Sequence, residues 1–167
     1  MLMAVIGCTS VTGGTSTINT ADAPEYRASV TASVEESAAT SSARESERQA
    51  SMTTEAVHTA CESLSTSSAE GIDALNVYVD ATNAGSDGIT TEGPAAEALN
   101  RSADLVLAGI NETLPPELRD ALNAWVDSAR ATATAVLARV SAAEFNDAVT
   151  LLNDTRANAL NLCDAAY

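Results

Sequence analysis

Apolar side chains return at steps of three or four from Thr54 onward, the interval that keeps them on one face of an α-helix. The longest such run spans Thr54 to Ala81, where Val57, Cys61, Leu64, Ser68, Ile72, Leu75 and Val79 share a face. It ends in Asn83-Ala84-Gly85-Ser86-Asp87-Gly88, a string of turn formers. A second helix is expected after Gly93, with Pro94 at its first position and Ala95, Leu99, Ser102, Val106, Ile110 and Leu114 on its stripe, until Pro115-Pro116 breaks it. A third starts at Pro116 or Glu117 and carries Leu118, Leu122, Trp125, Ala129, Ala133, Val136 and Val140. Ser141-Ala142-Ala143-Glu144 then has the form of a capping box. A fourth helix is therefore expected from Ala142, with Phe145, Val149, Leu152, Arg156, Leu160 and Cys163 inward.

Connections this short make successive helices antiparallel neighbours. The pattern thus predicts an all-α fold, an up-down-up-down four-helix bundle over residues 54–167. Its fourth helix runs back along the first and brings Cys163 to the level of Cys61, so a disulfide between them is expected, closing a loop of about 100 residues. The same register places Tyr78 or Val79 near Phe145 at the opposite end, with Leu114 and Leu118 toward the cysteines.

Upstream, residues 9–53 are rich in Ser, Thr and Ala and hold few large apolar side chains. Such a segment buries too little surface to offset its ordering entropy and is expected to be a low-complexity tether. Tyr26, Val30 and Val34, after Pro24, mark a short helix within it. Before the tether, Val5-Ile6-Gly7-Cys8 resembles a bacterial lipobox, in which a cysteine after a small residue is lipidated and becomes the mature N-terminus. The resemblance, to actinobacterial-type envelope lipoproteins, implies a lipid on Cys8, a membrane anchor for the chain and a tether whose hydroxyls accept sugars. Residues 1–8 would be the remnant of a signal peptide. The apolar run before Gly7 is short and has no basic flank, so residue 1 is expected to lie inside a longer leader. If Cys8 is incidental, the alternative address is the cytoplasm.

Composition sharpens this picture in two ways. Hydrophobic residues make up 46% of the 167 positions but aromatics only 3%, so the core must be built from small side chains that let helices approach closely and leave little room for internal pockets. The 23 acidic residues outweigh 8 basic ones, a net charge of -15 that repels a phosphate backbone and argues against nucleic acid as a partner.

Candidate chemistry is sparse. Asp73-Ala-Leu-Asn76-Val-Tyr-Val-Asp80 is echoed by Asp120-Ala-Leu-Asn123-Ala-Trp-Val-Asp127, a repeat that suggests a duplicated helical hairpin. Asp73, Asp80, Asp120 and Asp127 are the candidate oxygen ligands for a divalent cation, although inward carboxylates would turn Leu75 and Leu122 out of the core; solvated faces are the expectation. Glu55-Ala-Val-His58 matches half of a di-iron motif, but a single histidine cannot complete one. The Asn83 to Glu92 loop fails the spacing of a calcium-binding loop. Asn100, Asn111 and Asn153 head Asn-x-Ser/Thr triplets that fall in the expected helices. With no nucleophile, base and orienting group on one face, neither an enzyme nor a cofactor is expected. The expected role is that of a membrane-tethered, extracytoplasmic bundle with a structural or protein-interaction role in the envelope. The alternatives are a small-ligand or lipid carrier using a slot between helices, and a cation binder.

Overall fold

A computed structural model describes residues 23–85 and 89–166. Cys8, the upstream part of the expected tether and the Asp87-Gly88 turn lie outside the described residues. Four helices follow one another: α1 Ala23–Asn83, α2 Ile89–Gly109, α3 Pro116–Ala138 and α4 Ala142–Ala165. By its contacts the chain falls into two units, one ending at Glu45 and one beginning at Ser46.

Within the first unit the chain is helical from Ala23, where a mostly unstructured tether was expected. Every side chain from Pro24 to Met52 is exposed, Tyr26 at 71% and Val34 at 62%, so burial does not order it. Local bonds do. Pro24 and Glu25 suit a first helical turn, and the hydroxyls of Thr31 and Thr40 donate to the carbonyls of Arg27 and Glu36 four residues back. Further along α1, Thr54 does the same to Ala50. Hydroxyls that compete with helix elsewhere are here spent on the helix's own carbonyls.

The second unit is the bundle. Among the described residues its core interleaves eight buried alanines with larger side chains, among them Val57, Leu64, Leu75, Leu99, Val106, Leu122, Trp125, Val136 and Leu152. The inter-helix bonds fix its topology. Ser63 Oγ on α1 donates to Leu105 O on α2 at 3.1 Å, and an atom at the Cβ position of Gly109 would stand 3.5 Å from the Ala60 Cα. Arg130 on α3 reaches Asp104 on α2 at 2.7 Å. Ser128 and Thr155 share a hydroxyl bond of 2.7 Å between α3 and α4, while Thr132 Oγ1 donates to Ala148 O. Cys61 meets Cys163, Ser68 meets Arg156 and Tyr78 meets Phe145 along α1 and α4. In each neighbouring pair one number rises as the other falls, which is the antiparallel up-down-up-down order.

Helix α2 departs from expectation at both ends. It begins at Ile89, so Pro94 lies inside it rather than at its first position; only one turn precedes Pro94, so its missing N–H removes a bond near the helix end, where bonds are few in any case. It ends at Gly109 instead of running to Leu114. Asn111 stops it: its side-chain amide donates to Gly109 O at 3.2 Å and its Oδ1 accepts from the Thr113 amide at 2.9 Å, an Asx turn that competes with further helix. Asn111 is thus in a loop, and Leu114 is buried from that loop.

The other boundaries fall where expected. Gly85 takes φ +80°, a left-handed conformation that glycine enters freely, just past the end of α1. Ser141 Oγ accepts from the Glu144 amide at 3.3 Å and the Glu144 carboxylate accepts from the Ser141 amide at 3.0 Å, a complete capping box. Between them, α3 closes on Arg139 at φ 48°, ψ 49°, a left-handed position costing a non-glycine residue about 1–2 kcal/mol. What arginine adds there is a fork onto the Glu92 carboxylate, Nε to Oε2 at 2.8 Å and Nη2 to Oε1 at 3.0 Å, which ties the end of α3 to the first turn of α2.

Two expectations follow from this packing. Gly71 is buried mid-helix, and a methyl group there would sit 3.5 Å from Leu99 and Ser102, ordinary contact. Gly71→Ala is expected to raise stability by about 0.5–1 kcal/mol in chemical denaturation, since glycine is the poorer helix former; a loss would show the α1–α2 contact to be tighter than this. The second concerns acid. Hydrogen bonding to Arg139 holds the Glu92 carboxyl below its ordinary range, and hydrogen bonding to Ser141 does the same to Glu144. A depressed carboxyl contributes stability above its unfolded pKa and loses it as pH falls through the folded value. The denaturation midpoint of the Glu92→Gln, Glu144→Gln double variant should therefore fall less than that of the parent between about pH 5 and pH 3, and parallel profiles would contradict the assignment.

Candidate functional site

The bundle has two poles and a middle, each with its own chemistry. At one pole, Cys61 and Cys163 are bonded at 2.03 Å, with their Cα atoms 5.7 Å apart and 102 positions between them in the chain. Both side chains are buried. They lie there because both occupy the inward stripes of antiparallel neighbours. A cross-link closing so long a loop typically stabilises by about 2–4 kcal/mol, against a total of about 5–15 kcal/mol for an ordinary domain.

The middle is unexpectedly polar. Ser67 and Ser68 on α1, Ser102 on α2, and Ser128 and Thr132 on α3 are all buried, and α4 adds Thr155 and the half-buried Arg156. Most of these groups are satisfied within the bundle. Arg156 Nε donates to Ser68 Oγ at 2.7 Å, Ser67 to Ser63 O at 2.6 Å, Ser128 to Trp125 O at 2.8 Å and Thr132 to Ser128 O at 2.9 Å. Among the described residues, Ser102 Oγ and Trp125 Nε1 are the buried side-chain polar atoms without a partner. The stripe pattern places Ser68, Ser102 and Arg156 inward; the Arg156–Ser68 bond and the Ser128–Thr155 hydroxyl pair between helices are not visible in it. This layer is a structural device. Hydroxyls that must find one another restrict the sliding of smooth, alanine-rich helices.

The opposite pole holds a cleft between the end of α1 and the start of α4, of about 420 Å³. Its wall is apolar: Tyr78 and Phe145, edge to face with ring centroids 5.9 Å apart at 63°, together with Val79, Val140 and Ala142. The Tyr78–Phe145 contact is the one the helix register implies. The rim carries Thr82, Asn83 and Asn146, and Thr82 Oγ1 donates to Tyr78 O at 2.9 Å, leaving its lone pairs to accept. The asparagines were not singled out from the sequence, where each looks like an ordinary helix-end or surface residue. Only the short Arg139-Val140 link, which lets α4 begin beside the end of α1, brings them together.

The cation candidates are dispersed. Asp73 and Asp80 lie on α1 and Asp120 and Asp127 on α3, all four exposed, and no group of three or more His, Cys, Asp or Glu is gathered as metal ligands among the described residues. His58 is 64% exposed and stands 3.9 Å from the Glu62 carboxylate, one turn along α1. No described helix is long and apolar enough to cross a membrane.

Comparison with known proteins is consistent with this architecture. Residues 43–164 match the model of the Rv2240c four-helix bundle domain. A protein of Mycobacterium tuberculosis named "Uncharacterized protein MT2300" is 52% identical over 167 residues, covering 100% of this chain and 85% of its own length. No solved structure matches the chain.

Proposed function

This chain belongs to the family of the Rv2240c four-helix bundle domain, and we propose that it works outside the cytoplasm as a lipid-tethered bundle acting through protein–protein contacts in the cell envelope. The observation that carries the reading is the Cys61–Cys163 bond. Such bonds form and persist in oxidising compartments and are rare where cytosolic thiol systems act. A lipid on Cys8, the residue that follows Gly7 in the lipobox-like Val5-Ile6-Gly7-Cys8, supplies the membrane anchor.

The surface supports contact rather than catalysis as the working mode. Leu105, Leu137 and Leu151 are each about half exposed on three different helices, apolar points that a partner protein covers at low cost in desolvation. The net charge of -15 selects against nucleic acid and favours a partner with basic contact surfaces.

Fractionation of cells producing the full-length protein tests this reading. The expected result is protein in the membrane fraction, with a lipid mass on Cys8, moved to the soluble fraction by Cys8→Ala, and cross-linked to a discrete envelope protein in intact cells. An unmodified Cys8 on a polypeptide confined to the cytosol would contradict it.

A further inference from the structure

We infer that the cleft at Tyr78 and Phe145 is a binding site for a neutral, largely apolar small molecule. The inference is independent of the envelope reading, since the cleft exists whatever compartment the chain occupies. Three observations carry it. The volume, about 420 Å³, falls within the range of small-molecule pockets, about 300–1,000 Å³. The wall combines two aromatic rings with aliphatic side chains, and its hydrogen-bonding groups are uncharged: the Tyr78 and Thr82 hydroxyls and the Asn83 and Asn146 amides. That lining suits a ligand with a largely apolar body and a few neutral polar groups.

The third observation concerns charge. On a chain with 23 acidic and 8 basic residues, no Asp, Glu or Arg among the described residues lines this cleft. The groove between α1 and α2 differs, being edged by Glu62 and Glu70. An anion entering the Tyr78–Phe145 cleft would meet no cation and would approach through an acidic field. A cation would find no carboxylate among the described lining residues, so the lining offers no charge to pair with an ion of either sign.

The test uses the full chain and the neutral dye N-phenyl-1-naphthylamine, whose fluorescence rises on entering an apolar site. Saturable one-to-one binding is expected, weakened at least about tenfold by Ala142→Trp. That substitution fills the cleft from an exposed position in the first turn of α4 and leaves the core in place. Phe145→Ala should weaken binding in the same direction, and Ala142→Trp keeps the test decisive if loss of Phe145 packing unfolds the bundle. The sulfonated analogue of the dye should bind at least about tenfold more weakly than the neutral form. The inference is overturned by absence of saturable binding, by binding that survives Ala142→Trp in a folded protein, or by equal binding of the sulfonate. It is overturned equally if Ala142→Trp dissociates a dimer in analytical ultracentrifugation, which would make the cleft a contact between copies.

Discussion

The antiparallel seating of α4 on α1 is the constraint on which the rest of this bundle depends. These two helices lie farthest apart in sequence, so their pairing carries the largest loop-closure entropy of any in the fold. Three contacts hold the register along its length: the Cys61–Cys163 bond at one end, Arg156 on Ser68 in the middle and Tyr78 against Phe145 at the other. Once α4 is fixed on α1, the short connections around α3 keep α2 and α3 as antiparallel neighbours that complete the core. With alanine at eight of its 22 described buried apolar positions, the core gains less from burial per residue than one of leucine and phenylalanine alone, so a covalent bond between chain-distant helices weighs more here than in a richer core.

Small side chains also account for the polar middle. Helices lined by alanine, serine and glycine approach closely but offer few knobs to lock one against another. The Ser128–Thr155 and Thr132–Ala148 bonds, with Arg156 on Ser68, supply directional contacts at that level. The Arg139–Glu92 fork does the same between α2 and α3, from the left-handed residue that closes α3.

Much of this was legible before any coordinates. The inward stripes of α3 and α4, the capping box at Ser141 and the matched level of Cys61 and Cys163 all follow from period and spacing, because burial repeats with the helix turn and the connections are short. The errors have a common origin. Residues 23–53 read as tether because burial was the criterion, whereas that stretch is helical with suitable first-turn residues and recurring good helix formers such as Ala, Glu and Arg. Pro94 read as a start because proline favours first positions, although the helix tolerates it one turn in. Leu114 read as helical because it keeps the period of α2; the Asx turn at Asn111 redirects the chain while leaving the side chain in the core. The cleft was illegible for a different reason, since Asn83 and Asn146 come together only through tertiary register.

The central claim is that residues 102 positions apart are covalently joined across the bundle. Proteolytic digestion of the native, unreduced protein after blocking of free thiols, followed by mass spectrometry, reads it directly. The account predicts one cross-linked peptide pair containing Cys61 and Cys163, separable only after reduction. Finding both cysteines carrying the blocking reagent in folded, unreduced material would contradict it.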